Sequence, residues 1–113
     1  MTTEEIIVKL GLKSLSKFEN RDVDGVFVSD MLSDVMAGAK SGNLWVTVQT
    51  HKSIIPAANL VDVSAVIITS GKKVPQETVE LANQHNIALL ETELPTFELV
   101  GKLYALGLVT QEK

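Results

Sequence analysis

Residues 63–69 read Val-Ser-Ala-Val-Ile-Ile-Thr, an almost unbroken apolar run. It lacks the in-out alternation of a half-solvated strand and is far shorter than the roughly 20 residues that span a bilayer. A short β-branched run of this kind suits a strand covered on both faces, the situation of a parallel sheet between two helix layers. The run closes a larger unit, residues 44–71, LWVTVQTHKSIIPAANLVDVSAVIITSG. That unit reads as strand, polar loop, short helix, strand. Both strands are expected in the sheet interior, with their C-terminal loops at one edge.

The flanking sequence extends this pattern. Thr2 and Thr3 before Glu4 and Glu5 make an acidic helix start, Ile6, Ile7 and Leu10 give one apolar face, and Gly11 is a natural stop. Residues 12–19 alternate weakly and are expected to form an edge strand, and the polar residues 20–24 a turn. Residues 25–28 (GVFV) predict a strand, with Ser29 and Asp30 as N-cap types before Met31, Leu32, Val35, Met36 and Ala39 at helical spacing. Met31 and Met36 are assigned to the core. After the 44–48 strand, Ser53 is placed to cap a helix that tolerates Pro56 in its first turn. Pro75 opens a further helix with Val79 and Ala82 inward, ended by Asn86; residues 87–90 are the last strand. Pro95 opens a final helix with Phe97, Val100, Leu103 and Tyr104 on its inner side, closed by Gly107. From residue 25 onward, strand and helix alternate four times. Right-handed crossovers then give an α/β fold: one three-layer α/β/α domain over residues 1–113, with a largely parallel, mixed sheet of about five strands.

Several function classes are disfavoured. A net charge of −4 does not suit nucleic acid or an anionic membrane surface. With no cysteine, the chain cannot hold a disulfide, a thiolate zinc or an iron–sulfur cluster through its own sulfurs, and no cofactor is expected. His51 and His85 lack a metal-binding spacing, so no metal is expected either, and His85 reads as a surface residue at a helix end. The acidic start lacks a signal-peptide pattern, and a cytoplasmic location is expected. GNLW, SGKK and GKLYALG match neither the P-loop nor G-x-G-x-x-G, and no G-x-S-x-G or Ser/His/Asp grouping can be assembled. The chain is therefore read as a non-enzyme.

In open parallel sheets, ligands bind beyond the carboxyl ends of the strands. Four loops fall there: Ser29-Asp30, Gln49-Thr50-His51-Lys52, Ser70-Gly71-Lys72-Lys73 and Glu91-Thr92-Glu93. His or Lys beside small polar residues, ahead of helix starts with unpaired N–H groups, favours a phosphate or carboxylate. The candidate contacts are Asp30, Thr50, His51, Lys52, Ser70, Gly71, Lys72 and Thr92. The rival reading makes each loop a solvated turn with a helix cap. His51 could donate to a phosphate or act as a base, with Asp30 nearby; Asp30 and Asp34, four apart, could pair as carboxylates, or be a cap and a solvated residue. Trp45 reads as core or interface.

The segments GVFVSDMLSDVMAGAKSGNLWVTVQTH, SAVIITSGKKVPQETVELANQHNIALLET and PTFELVGKLYALGL resemble a stand-alone DRTGG domain over about residues 21–108. Such a domain is similar to the N-terminal, non-kinase domain of HPr kinase/phosphorylase. Related domains accompany CBS domains in regulated pyrophosphatases and occur in some phosphotransacetylases. The resemblance implies an α/β/α domain with a regulatory role and a tendency to self-associate, here as a homodimer; in the pyrophosphatases it implies proximity to an adenine-nucleotide site. Small stand-alone relatives are associated with hydrogenase and iron–sulfur systems, which here can only mean a redox-enzyme partner. Many members carry an Asp-Arg pair where this chain has Gln49-Thr50-His51-Lys52; the small branch has Thr-His there. Two function classes follow: a regulatory module binding a nucleotide or other small anion, or a ligand-free interaction module.

Overall fold

The computed structural model describes residues 1–110. The elements run α1 (Thr3–Leu10), β1 (Lys13–Ser14), β2 (Val26–Val28), α2 (Leu32–Gly38), β3 (Leu44–Thr47), α3 (Ile54–Val61), β4 (Ala65–Ile68), α4 (Gln76–Gln84), β5 (Leu89–Glu91) and α5 (Thr96–Ala105). The five strands form one sheet in the order β1-β5-β4-β3-β2. β2 to β5 are mutually parallel, and β1 joins the β5 edge antiparallel, Lys13 opposite Glu91. The fold is thus α/β with a mixed, mostly parallel sheet, and β3 and β4 are interior strands as expected.

The strand order decides where the helices lie. Each crossover from β2 to β5 moves one place in the same direction, so right-handed connections put α2, α3 and α4 on one face. Alternation along the strands divides the core accordingly. Trp45, Val66, Ile68 and Leu89 pack with Val35 of α2, Ile54, Ile55, Ala57 and Ala58 of α3, and Ala82 of α4. Their neighbours Leu44, Val46, Ala65, Ile67 and Leu90 point the other way, onto Ile6 of α1 and Leu99 and Leu103 of α5. Every residue of β3 and β4 is buried, so these strands can carry no polar face. Trp45 is fully buried, and its Nε1–H donates to the Ser29 carbonyl at 2.8 Å, which meets the need of a buried indole for a partner.

Local signals act as expected at α1, where Thr2 and Glu5 form a reciprocal capping box and Gly11 closes the helix at φ 63°. Elsewhere tertiary demands overrode them. The 12–19 strand shrinks to two residues, because only that much runs beside β5 before Ser16 turns to bond Ile87 and Leu89. Residues 20–24 are an extended connection with an isolated antiparallel bridge between Thr2 and Asp22, and Val23 is buried. Neither Asp30 nor Ser53 makes a side-chain cap. Met31 and Met36 are 59% and 51% exposed, since α2 buries only the Val35 side of its short length.

For α5 the expectation holds in half: Leu103 is fully buried, with Leu99 beside it, and Val100 packs against the same core, but Phe97 is 88% and Tyr104 69% exposed. The helix carries two apolar stripes on opposite sides, and periodicity alone cannot choose between them. Exposing Phe97 forgoes roughly 2 kcal/mol of burial free energy.

Polar groups gather at the two ends of the parallel strands. At the amino edge Arg21 reaches 41 residues along the chain to Asp62, with Nη1 to Oδ1 at 2.9 Å and Nη2 to Oδ2 at 3.1 Å, and also donates to the Val63 carbonyl at 3.0 Å. Ser41 Oγ donates to the same carboxylate at 2.6 Å. The Ser41 and Arg21 hydrogen bonds, and then the guanidinium charge, hold the Asp62 carboxyl below its ordinary value.

Candidate functional site

The carboxyl edge holds all eight candidate residues; Ser70, Gly71 and Thr92 fall at one place, Asp30, Thr50, His51 and Lys52 at another, and Lys72 at neither. Adjacent strands β4 and β5 send their chains to opposite faces, β4 to α4 and β5 to α5. That divergence is where an open α/β sheet ordinarily offers a ligand crevice. Here the crevice is stitched shut. Ser70 N–H donates to the Leu94 carbonyl at 2.8 Å, Gly71 N–H to Thr92 at 3.0 Å and Thr92 N–H to Ile68 at 3.0 Å. Behind them the buried Thr69 hydroxyl meets that of Thr96 at 2.6 Å. Ser70 and Gly71 adopt φ of 66° and 64°, the left-handed turn that aims both amides at the next loop. Their N–H groups serve the fold. Outside this seam lies a hollow of about 450 Å³ lined by Leu10, Lys13, Gly71, Thr92, Glu93 and Lys102, among others. Its cations face Glu91 and Glu93, with Lys13 Nζ 3.6 Å from Glu91 Oε1.

The β3–α3 loop is built differently. Asp30 crosses from the end of β2 and accepts from the Thr47 hydroxyl at 2.8 Å and the Val48 N–H at 3.0 Å. It is a latch between loops, and it precedes α2, so it shares no helical face with Asp34. Gln49 Nε2 donates to the Asp30 carbonyl at 3.2 Å. The Thr50 carbonyl accepts from the buried Thr78 hydroxyl at 2.8 Å, which ties the loop down onto α4.

The chain then makes a tight turn into α3. Ser53 N–H donates to His51 Nδ1 at 3.1 Å, Ile54 N–H to the His51 carbonyl and Ile55 N–H to the Lys52 carbonyl. The expected unpaired amides at this helix start are therefore already used, and an anion must be met by side chains. His51 can supply one. Because Nδ1 accepts a backbone N–H, the neutral ring carries its proton on Nε2 as a donor. The Ser53 hydroxyl lies 3.0 Å from Nδ1, two residues away within one turn, the geometry of a local turn bond. Asp30 is held by Thr47 and Val48, and among the described residues no hydrogen bond joins it to His51.

His51, Lys52, Ser53 and Pro56 form one wall of a groove of about 380 Å³ whose other wall is α4, with Glu77, Glu80, Leu81 and Gln84. Lys52 Nζ bonds Glu77 Oε1 at 2.7 Å across it. That hydrogen bond, and then the ammonium charge, lower the Glu77 pKa from its ordinary value. Residues 77, 80, 81 and 84 recur at i, i+3, i+4 and i+7, so the helical repeat was a readable signal for this wall, but nothing local says which loop it faces. Lys72 is exposed in the β4–α4 turn and lines neither hollow. Among the described residues no three His, Cys, Asp or Glu side chains gather as a metal site, and no helix is long and apolar enough to cross a membrane.

The DRTGG domain model matches residues 5–106, nearly the whole chain. The chain belongs to the DRTGG domain family. The crystal structure of the CBS and DRTGG domains of the regulatory region of Clostridium perfringens pyrophosphatase, complexed with its activator diadenosine tetraphosphate, superposes with a TM-score of 0.68 at 20% identity. The superposition covers 88% of this chain and 44% of that one, so this chain spans less than half of the solved regulatory region. At that identity the likeness is one of fold. No curated protein matches the chain. Within this fold, the β3–α3 loop contributes His51, Lys52 and Ser53 to the α3–α4 groove.

Proposed function

We propose that this DRTGG domain is a non-catalytic, cytoplasmic regulatory module that takes a small anionic ligand of the nucleotide class in the α3–α4 groove, and that it works as a homodimer. One observation carries the ligand reading: His51 and Lys52 line a groove that also has Pro56 and Leu81 as apolar walls. Its volume of about 380 Å³ suits a small molecule, for which sites of roughly 300–1,000 Å³ are usual. An arriving phosphate or carboxylate exchanges with Glu77 for Lys52. Glu77 and Glu80 against a single lysine repel a highly charged ligand, so a ring with one anionic group fits better than a triphosphate. The pyrophosphatase region, solved with a dinucleotide activator, supports the ligand class.

A thermal-shift series with AMP, ADP, ATP, diadenosine tetraphosphate and inorganic phosphate tests this. A ligand at 100 times its dissociation constant adds about 2.7 kcal/mol to stability, and Lys52→Ala abolishes the shift. If no compound moves the wild-type midpoint, the ligand reading loses its support. The second reading, a ligand-free interaction module docking on a redox or hydrogenase enzyme, draws on the exposed Met31, Phe97 and Tyr104. The idea of a small enzyme using His51 as base gains nothing from a carboxylate already engaged by Thr47 and Val48.

A further inference from the structure

The outward face of α5 carries a knob, a hole and a gap in one patch. Phe97 projects 88% exposed, and Tyr104, two turns on, is 69% exposed. Between them Gly101 faces outward, with no heavy atom within 4 Å of the place a Cβ would occupy. Beside Tyr104 the helix, the open edge strand β2 and the segment after α5 leave a hollow of about 130 Å³, walled by Val28, Val100, Tyr104, Leu108 and Val109. Val28 and Val109 are themselves about half exposed.

We propose that this face binds a second copy of the chain, α5 lying antiparallel against α5 about a two-fold axis near residues 100 and 101. The proposal rests on the homodimer part of the reading above and gives it a surface. A two-fold interface must be self-complementary, each feature meeting its counterpart across the axis. Phe97 and Tyr104 sit at equal distances either side of that point, so each Phe97 enters the hollow beside the partner's Tyr104. Gly101 stands at the crossing, where its missing side chain lets the two backbones approach. Charge chooses the direction. Glu98 and Lys102 are exposed on one flank of the stripe, centred on residue 100. An antiparallel copy sets each Glu98 against the partner's Lys102, and it opposes the two helix dipoles; a parallel two-fold would put the two Glu98–Lys102 flanks on opposite sides of the helix pair, out of reach of each other. An anionic lipid surface is the poorer occupant, because the single lysine of this flank is offset by Glu98.

Light scattering after size exclusion, over a concentration series, tests the proposal on the intact chain. The expected wild-type mass is twice the 12.2 kDa of one chain. Phe97→Glu and Tyr104→Lys change exposed side chains, leave the circular dichroism spectrum unaltered, and each weaken the dimer by more than about 30-fold, as hot-spot residues do. Glu98→Lys weakens it less, and Glu98→Lys with Lys102→Glu restores it, as only the antiparallel arrangement requires. Because the chain has no cysteine, Gly101→Cys introduces a unique thiol that joins two chains rapidly under mild oxidation, whereas Val8→Cys, on the exposed side of α1, does not. A wild-type mass of one chain at every concentration overturns both the surface and the homodimer. A dimer that survives Phe97→Glu and Tyr104→Lys, or that cross-links through Val8→Cys and not Gly101→Cys, leaves self-association standing and overturns this surface alone.

Discussion

The amino and carboxyl edges of the sheet use similar residues to opposite ends. At the amino edge, loops from three parts of the chain converge on one ion pair, whose hydrogen bonds tie those loops together. Arg21 serves the Asp62 carboxylate and the Val63 carbonyl, Ser41 takes a further carboxylate site, and Gly42 N–H donates to the Asp62 carbonyl at 2.9 Å. The crevice that remains there, lined by Arg21, Asp62 and His85 among others, is only about 70 Å³. At the carboxyl edge, the β4 and β5 loops are likewise closed on each other, but the β3–α3 loop contributes His51 and Lys52 to a groove five times larger. Charged residues at one edge hold the fold, and at the other they face outward across an open groove. Residue type does not distinguish the two; whether a neighbouring strand end brings a partner does.

Changes that break the contrast differ in size. Arg21→Ala removes charge-assisted bonds to two loops at once and is expected to cost about 2 kcal/mol, read as a fall in melting midpoint of roughly 8 °C for a chain of this size. Ligand affinity should be unaltered, and a loss of binding without a loss of stability would reverse the roles assigned to the two edges. Asp30→Ala is expected to cost about 1.5 kcal/mol, because the buried Thr47 hydroxyl and the Val48 N–H lose their acceptor, while Asp30→Asn keeps most of it. Denaturant midpoints for the pair check this. A neutral Asp30→Ala that abolished ligand binding would make Asp30 a contact residue instead of a latch.

His51→Ala removes an exposed ring, so stability should change by less than about 0.5 kcal/mol, while the dissociation constant for the best nucleotide in calorimetry rises at least roughly tenfold, about one hydrogen bond's worth. The smallest effect concerns acid. Asp62 is held below its ordinary value of 3.8, so its contribution is complete above that pH and fades as pH falls through the lower folded value. Asp62→Asn, which suits the left-handed φ of 68° at that position, should flatten the stability curve below about pH 4 by a few tenths of a kcal/mol, the carboxylate being well solvated. Urea titrations from pH 2.5 to 6 measure it; an unchanged acid limb would mean that the pair contributes nothing.

Much of the fold was legible in the residues. The run through Ile68, the strand-helix alternation, the capping residues Thr2 and Glu5, and the prolines opening α4 and α5 are local signals that tertiary structure left standing. Where two local answers were equally good, sequence could not choose: the Phe97–Tyr104 and Leu99–Leu103 stripes are both apolar, and only the sheet decides which is inside. The site was half legible. Thr50, His51 and Lys52 stand in a loop that pattern alone puts at the carboxyl edge. The α4 wall opposite is 25 residues on from Lys52, at Glu77, and is reached only through the order of strands. Ser70, Gly71 and Thr92 have the composition of an anion loop, but their amides are consumed because β4 and β5 are neighbours. Arg21 and Asp62 gave no signal, being joined purely by tertiary contact.

The central claim is that the open part of the carboxyl edge is where this domain receives its ligand. Amide chemical-shift mapping on the labelled chain, titrated with AMP and then with the other nucleotides, addresses it most directly. Perturbations confined to Thr50–Ser53 and to Glu77–Gln84, with Ser41–Asn43 and Asp62–Ser64 unmoved, are the predicted result. Shifts centred on the Arg21–Asp62 edge or on the hollow between Lys13 and Lys102, or no shifts up to millimolar ligand, would contradict it.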